Sequence, residues 1–146
     1  MDTDIKITEP ETDVKLFGNP ISIKTITGKG LSGIKIIWTV DSEKARKFRG
    51  SYYPSCDLLL ININWGGKGG LYLIPLSVQR EIFNKLGRNK YIKLPKPGTN
   101  PRGVEFSKEA ILRLIEHPYT SSIGIEWNRS EIEYDPYRRW VDYWKE

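Results

Sequence analysis

The chain has 146 residues, 38% of them apolar and 28% charged, with a net charge of +5 and a pI near 9.3. That is enough apolar material for one buried core, which excludes a disordered chain, a disulfide miniprotein and a fibre. No apolar run approaches the ~18 residues of a membrane span, the longest being Leu58-Leu59-Leu60-Ile61. The polar, acidic start (Met1, Asp2, Thr3, Asp4) does not read as a secretory signal, and the lone Cys56 cannot close an internal disulfide. Both fit a cytoplasmic protein without a membrane partner. A single His117 argues against a His-rich zinc site.

Taken in chain order, residues 13–17 alternate apolar and polar, Gly18-Asn19-Pro20 marks a turn, and residues 21–26 alternate again. A glycine-rich loop over 27–33 leads into a β-branched strand at 34–40. Asp41 or Ser42 is placed to cap a short helix running to about Arg49. Residues 57–65 read as the most buried strand, and Gly66 to Gly70 as a turn into the strand Leu71–Ile74. Val78, Ile82, Phe83 and Leu86 share one helix face that ends before Gly87. The prolines of 95–103 exclude helix and central strand there. Ser107 caps a second helix, Ile123–Trp127 is a last strand, and Tyr137–Trp144 an aromatic terminal helix. The expected fold is α/β, a mixed β-sheet flanked by helices. It forms a single domain over 1–146, with a core at about 13–127 and an aromatic segment at 128–146.

Charge is distributed unevenly. Residues 79–102 carry seven cations against Glu81 alone, and residues 22–49 carry seven against Asp41 and Glu43. A basic middle between more acidic ends is a phosphate-binding footprint, or else a solvated Lys-rich surface. Lys29, Lys35, Arg46, Lys96, Asn100 and Arg102 are the candidate nucleic-acid contacts. Of these, Lys96, Asn100 and Arg102 lie in the proline-rich loop and suit base edges, Arg for guanine and Asn for adenine.

The segment 12–27 is the most informative. An even-length loop about Gly18-Asn19 pairs Leu16 with Ile21, Lys15 with Ser22, Val14 with Ile23 and Asp13 with Lys24. Pro20 cannot donate the innermost ladder bond, which favours a four-residue loop. Val14, Leu16, Ile21 and Ile23 then share one face; Asp13, Lys15, Ser22 and Lys24 share the other. A carboxylate facing an amine can hold a hard cation and orient its water, or can be only a weak cross-strand ion pair.

In these residues the chain resembles the PD-(D/E)xK nuclease superfamily, the fold of many restriction endonucleases. Asp13 falls where that family's first Asp opens a strand, and Ser22-Ile23-Lys24 where its acidic-x-Lys triplet lies. Thr12 stands in place of the usual Pro, and Ser22 in place of the second acid. A Ser-x-Lys variant of the family takes its lost carboxylate from a later helix, which here implies Glu43 or Asp41. The resemblance implies a restriction endonuclease-like core and Mg²⁺-dependent hydrolysis of double-stranded DNA by a homodimer. It assigns Asp13, Glu43 and Asp41 to the metal, and Asp13, Lys24 and Glu43 to catalysis. Asp57, which also opens a strand, is a spare ligand or a turn acid. The alternative that Ser22 raises is a non-catalytic nucleic-acid-binding module, or a degenerate domain of a larger nuclease.

Overall fold

In the computed structural model, residues 11–96 and 103–129 are described. The first hairpin joins β1 (Val14–Leu16) to β2 (Asn19–Thr27). Its pairing differs from the expected register: Val14 lies opposite Ile21, Lys15 opposite Pro20, and Leu16 opposite Asn19. Phe17 and Gly18 make the turn alone, with φ of 51° and 80°, the two positive values a type I′ turn demands. Pro20 does not forbid this. The closing pair Leu16–Asn19 carries the hydrogen bonds, so Lys15–Pro20 falls at the next, non-bonded position. The shift is two residues, so Val14 and Leu16 keep their common face, as do Ser22 and Lys24; Asp13, whose N–H bonds the Ile21 carbonyl, is no longer opposite Lys24.

β2 then pairs in parallel with β4 (Asp57–Ile63), from Ile21–Asp57 to Thr27–Ile63. Between them run β3 (Lys35–Ile37) and helix α1 (Ser42–Ser51). β4 continues antiparallel into β5 (Gly67–Ile74). The chain reverses at Asn64–Gly66, so Gly66 keeps its expected place in the turn, whereas Gly67, Gly69 and Gly70 are strand residues. Gly69 is required there, because a Cβ would stand 2.2 Å from the Asn62 carbonyl oxygen and 2.7 Å from the Trp127 indole nitrogen.

Helix α2 (Leu76–Leu86) follows, ending at Gly87 as its sequence requires, and then the short α3 (Arg88–Tyr91), β6 (Ile92–Lys93), β7 (Val104–Phe106), α4 (Lys108–Ile115) and β8 (Ser121–Trp127). Five strands form one mixed sheet in the order β1-β2-β4-β5-β8, and a second sheet has the order β3-β7-β6. The second sheet was not foreseen. Its short strands are pinned by a charge triad: Glu105 on β7 meets Lys35 of β3 and, at 2.9 Å, Lys93 of β6. Both lysines are Glu105's register partners.

The core lies between the large sheet, helices α2 and α4 and the small sheet. Leu58 and Leu60 come from β4, Val78, Ile82 and Phe83 from α2, Ala110, Ile111 and Leu114 from α4, and Ile34, Ile36, Val104 and Phe106 from the small-sheet side. Tyr91 packs edge-on against Phe83 and Phe106 at 5.1 and 5.7 Å. The terminal aromatic segment lies outside the described residues.

Candidate active site

The polar face of the hairpin is built by the turn and the parallel ladder together. The Asp13 N–H donates to the Ile21 carbonyl at 2.9 Å, which ties the residue before β1 to β2. The Asp13 carboxylate Oδ2 then accepts from the Ile23 N–H at 2.6 Å and the Ser22 hydroxyl at 3.2 Å. So Ser22, where the resemblance places an acid, holds the first acid in position. Asp13 is exposed, and its carboxylate is anchored to the strand that carries Lys24.

Beneath that face lies a cavity of about 10 Å³, room for about one water, bordered by Glu11, Ser22, Lys24, Tyr52, Cys56 and Gln79 among others. Glu11 had no place in the expected site. Its backbone has φ of 70°, a left-handed conformation that costs a non-glycine residue energy and collects at functional sites. Oε2 accepts from the Ser55 hydroxyl at 3.1 Å, whereas Oε1 is buried with no partner among the described residues. Burial pushes the Glu11 carboxyl above its ordinary range; the Ser55 hydrogen bond and the nearby Lys24 ammonium pull it back in part. No motif marks Glu11 in the sequence, because its left-handed backbone falls at an ordinary residue type.

The helix acids have other partners. Asp41 caps α1, its Oδ1 accepting from the Glu43 and Lys44 N–H groups at 2.8 and 3.1 Å. Those bonds hold its carboxyl below the ordinary range. Glu43 pairs with Lys47 at 2.8 Å on the exposed side of α1. Asp57 serves structure: its Oδ1 accepts the Leu76 N–H at 2.7 Å at the start of α2, where Pro75 offers no side-chain cap. Among the described residues, no three Asp, Glu, His or Cys side chains gather into a metal cage.

The ThaI restriction endonuclease family model matches residues 1–146. The chain belongs to the ThaI restriction endonuclease family. A solved structure described as a restriction endonuclease in complex with substrate DNA superposes at a TM-score of 0.90 and 57% identity, over 98% of this chain and 69% of that one. Comparison with curated proteins finds no match. The ThaI-family assignment makes this a restriction-type endonuclease on a restriction endonuclease-like fold, as the hairpin resemblance implied.

Around the ThaI-family hairpin, a groove of about 280 Å³ opens beside Lys24 and is bordered by Thr25, Gly33, Lys35 and Trp38. Lys29 is exposed in the glycine loop and Arg46 on α1. Lys35 is tied to Glu105, and its Nζ stands 5.7 Å from the Trp38 ring centroid. Lys96 is exposed at the start of the proline-rich loop; Asn100 and Arg102 lie outside the described residues. No helix among the described residues is long and apolar enough to cross a membrane.

Proposed function

We propose that this chain hydrolyses phosphodiester bonds of double-stranded DNA with Mg²⁺, at a site made by Asp13, Lys24 and Glu11. The observation that carries this reading is the hairpin itself. Ser22 and Ile23 clamp the Asp13 carboxylate to the strand that carries Lys24, and Ser22 and Lys24 both border the cavity of Glu11. In the solved relative the partner is substrate DNA, and the basic stretches of this chain suit the same polyanion.

The donor set fits a hard cation. Mg²⁺ keeps several waters and takes one or two protein carboxylates; Asp13 is exposed, and Glu11 has a buried oxygen without a partner. When bound there, Mg²⁺ would polarise the phosphate and lower the pKa of a water. Asp13 would hold that ion. Glu11 replaces the acid missing at Ser22, in preference to Glu43 or Asp41, whose oxygens serve Lys47 and the helix cap. Lys24 supplies an ammonium group that orients the attacking water and offsets charge growing on the phosphate oxygens. We further propose a single domain over 1–146, working in the cytoplasm where its DNA is found. Action as a homodimer follows from the need to cut two strands.

Plasmid cleavage in Mg²⁺, in Mn²⁺ and in EDTA tests this reading. Asp13→Asn keeps an oxygen for the Ser22 and Ile23 donors, so the fold survives, but it removes the charge. We expect a loss of at least ~10³ in rate, equivalent to about 4 kcal/mol of barrier, with similar loss for Lys24→Met. Normal cutting by both variants, or undiminished cutting in EDTA, refutes the mechanism.

A further inference from the structure

Trp38 is an exposed indole that the core does not explain. At and just before β3 the even positions face inward, and Ile34 and Ile36 are 2% and 5% exposed. Position 38 continues that parity, yet the strand stops at Ile37 and Trp38 is left 72% exposed. Leaving so much apolar surface in water is costly in a free protein.

The backbone beneath the indole is held closely. A Cβ on Gly103, whose φ is 121°, would fall 2.3 Å from the Ile37 carbonyl oxygen and 3.2 Å from the Trp38 Cα. The β7 segment therefore presses directly against the 37–38 peptide. Lys35 stands 5.7 Å from the ring centroid and is itself bound by Glu105, which also receives Lys93 at 2.9 Å. The two lysines outnumber the one carboxylate, so this edge stays cationic. An aromatic surface on a braced backbone, beside surplus positive charge, is preorganised for a ligand with an anionic and an apolar part.

Trp38 and Lys24 border the same groove. A nucleotide has the matching pair of parts, a phosphate and a sugar with an apolar C–H face. We propose that Trp38 is a substrate-positioning residue, its indole packing against the deoxyribose of the nucleotide adjoining the phosphate held at Lys24. Lys35 flanks the same nucleotide. This rests on the reading of the chain as a DNA endonuclease. It assigns Trp38 to holding the strand in line, while Lys24 serves the reacting phosphate.

The test measures Trp38→Ala and Trp38→Phe in the full chain. Binding is read by anisotropy of a fluorescein-labelled duplex spanning a cleavage site mapped with the wild type, with Ca²⁺ replacing Mg²⁺. Cleavage kinetics and thermal melting are measured alongside. Trp38→Ala is expected to weaken binding and raise KM roughly tenfold, with kcat within about twofold and an unchanged melting temperature. Trp38→Phe should restore most of the affinity, and Lys24→Met should instead lower kcat. If Trp38→Ala binds and cuts with wild-type constants, or loses both only because it melts early, the assignment of Trp38 is overturned while the endonuclease reading stands. A wild type that neither binds nor cuts duplex DNA overturns that reading, and the role of Trp38 with it.

Discussion

Replacing Glu11 by Gln separates stability from function at the candidate site. The wild-type carboxylate is half-buried, with one oxygen on Ser55 and the other without a partner among the described residues. Leaving a buried polar group unmatched costs about 1–3 kcal/mol. Partial exposure and the Lys24 charge reduce that cost, and the glutamine amide recovers only part of it, so a gain of about 1 kcal/mol is expected in the variant. For a chain of this size that raises the melting temperature by roughly 3 °C. The pH dependence has a definite sign. Because burial raises the Glu11 pKa above 4.5, the folded protein holds a proton that the unfolded chain releases. Wild-type stability therefore falls as pH climbs from 4.5 through the folded-state value, whereas the glutamine variant does not titrate there. The difference between the two should be small near pH 4.5 and reach its full size well above it. Melting in EDTA across that range is the first assay, and melting with Mg²⁺ the second. A ligand that binds only the folded state stabilises it by mass action, so added Mg²⁺ should raise the wild-type melting temperature more than the variant's. Cleavage by the variant should fall at least tenfold. A variant that melts below the wild type by the same margin at every pH, and gains equally from Mg²⁺, would refute the reasoning.

Two other predictions concern the frame around the site. Burial alone would raise the Glu105 carboxyl, but the Lys35 and Lys93 bonds outweigh it and hold it below 4.5. The triad's stabilisation is thus present above that pH and lost as pH falls through the folded value. Glu105→Gln should cost about 1–2 kcal/mol at neutral pH and little in acid, as read by urea unfolding at both; an equal cost at both would mean that the ion pairs contribute nothing. Gly69→Val places a Cβ 2.2 Å from the Asn62 carbonyl, which a flexible side chain cannot relieve. A loss of at least about 2 kcal/mol is expected by chemical denaturation, and a variant as stable as the wild type would show that β4 and β5 can separate freely.

Much of this molecule could be read locally. The alternation of 13–17 and 21–26, the capping residues Asp41 and Ser107, the apolar face of 78–86 and its stop at Gly87 all express preferences acting over a few residues. The same alternation put Ser22 and Lys24 on one face of the hairpin, and a shift of two residues could not disturb it. The family resemblance rested on that face and on little else.

What eluded that reading depends on distant contacts. Pro20 suggested a longer loop, but Phe17 takes a positive φ and the tight turn wins. Gly67, Gly69 and Gly70 are punctuation in most sequences; here they are strand, paired with β8 and β4, and Asn62 and Trp127 crowd Gly69 from both neighbouring strands. Asp41 and Glu43 were candidate ligands through the family resemblance, and folding gives their oxygens to a helix cap and to Lys47. Glu11 borders a cavity with Ser22 and Lys24, and its carboxylate is held by Ser55, which lies 44 positions away. Short-range periodicity and capping are properties of neighbouring side chains, so the chain displays them before it folds. Which carboxylate faces Lys24, and which aromatic is left in the groove, are settled only when segments far apart in the chain pack together and compete for burial and hydrogen bonds.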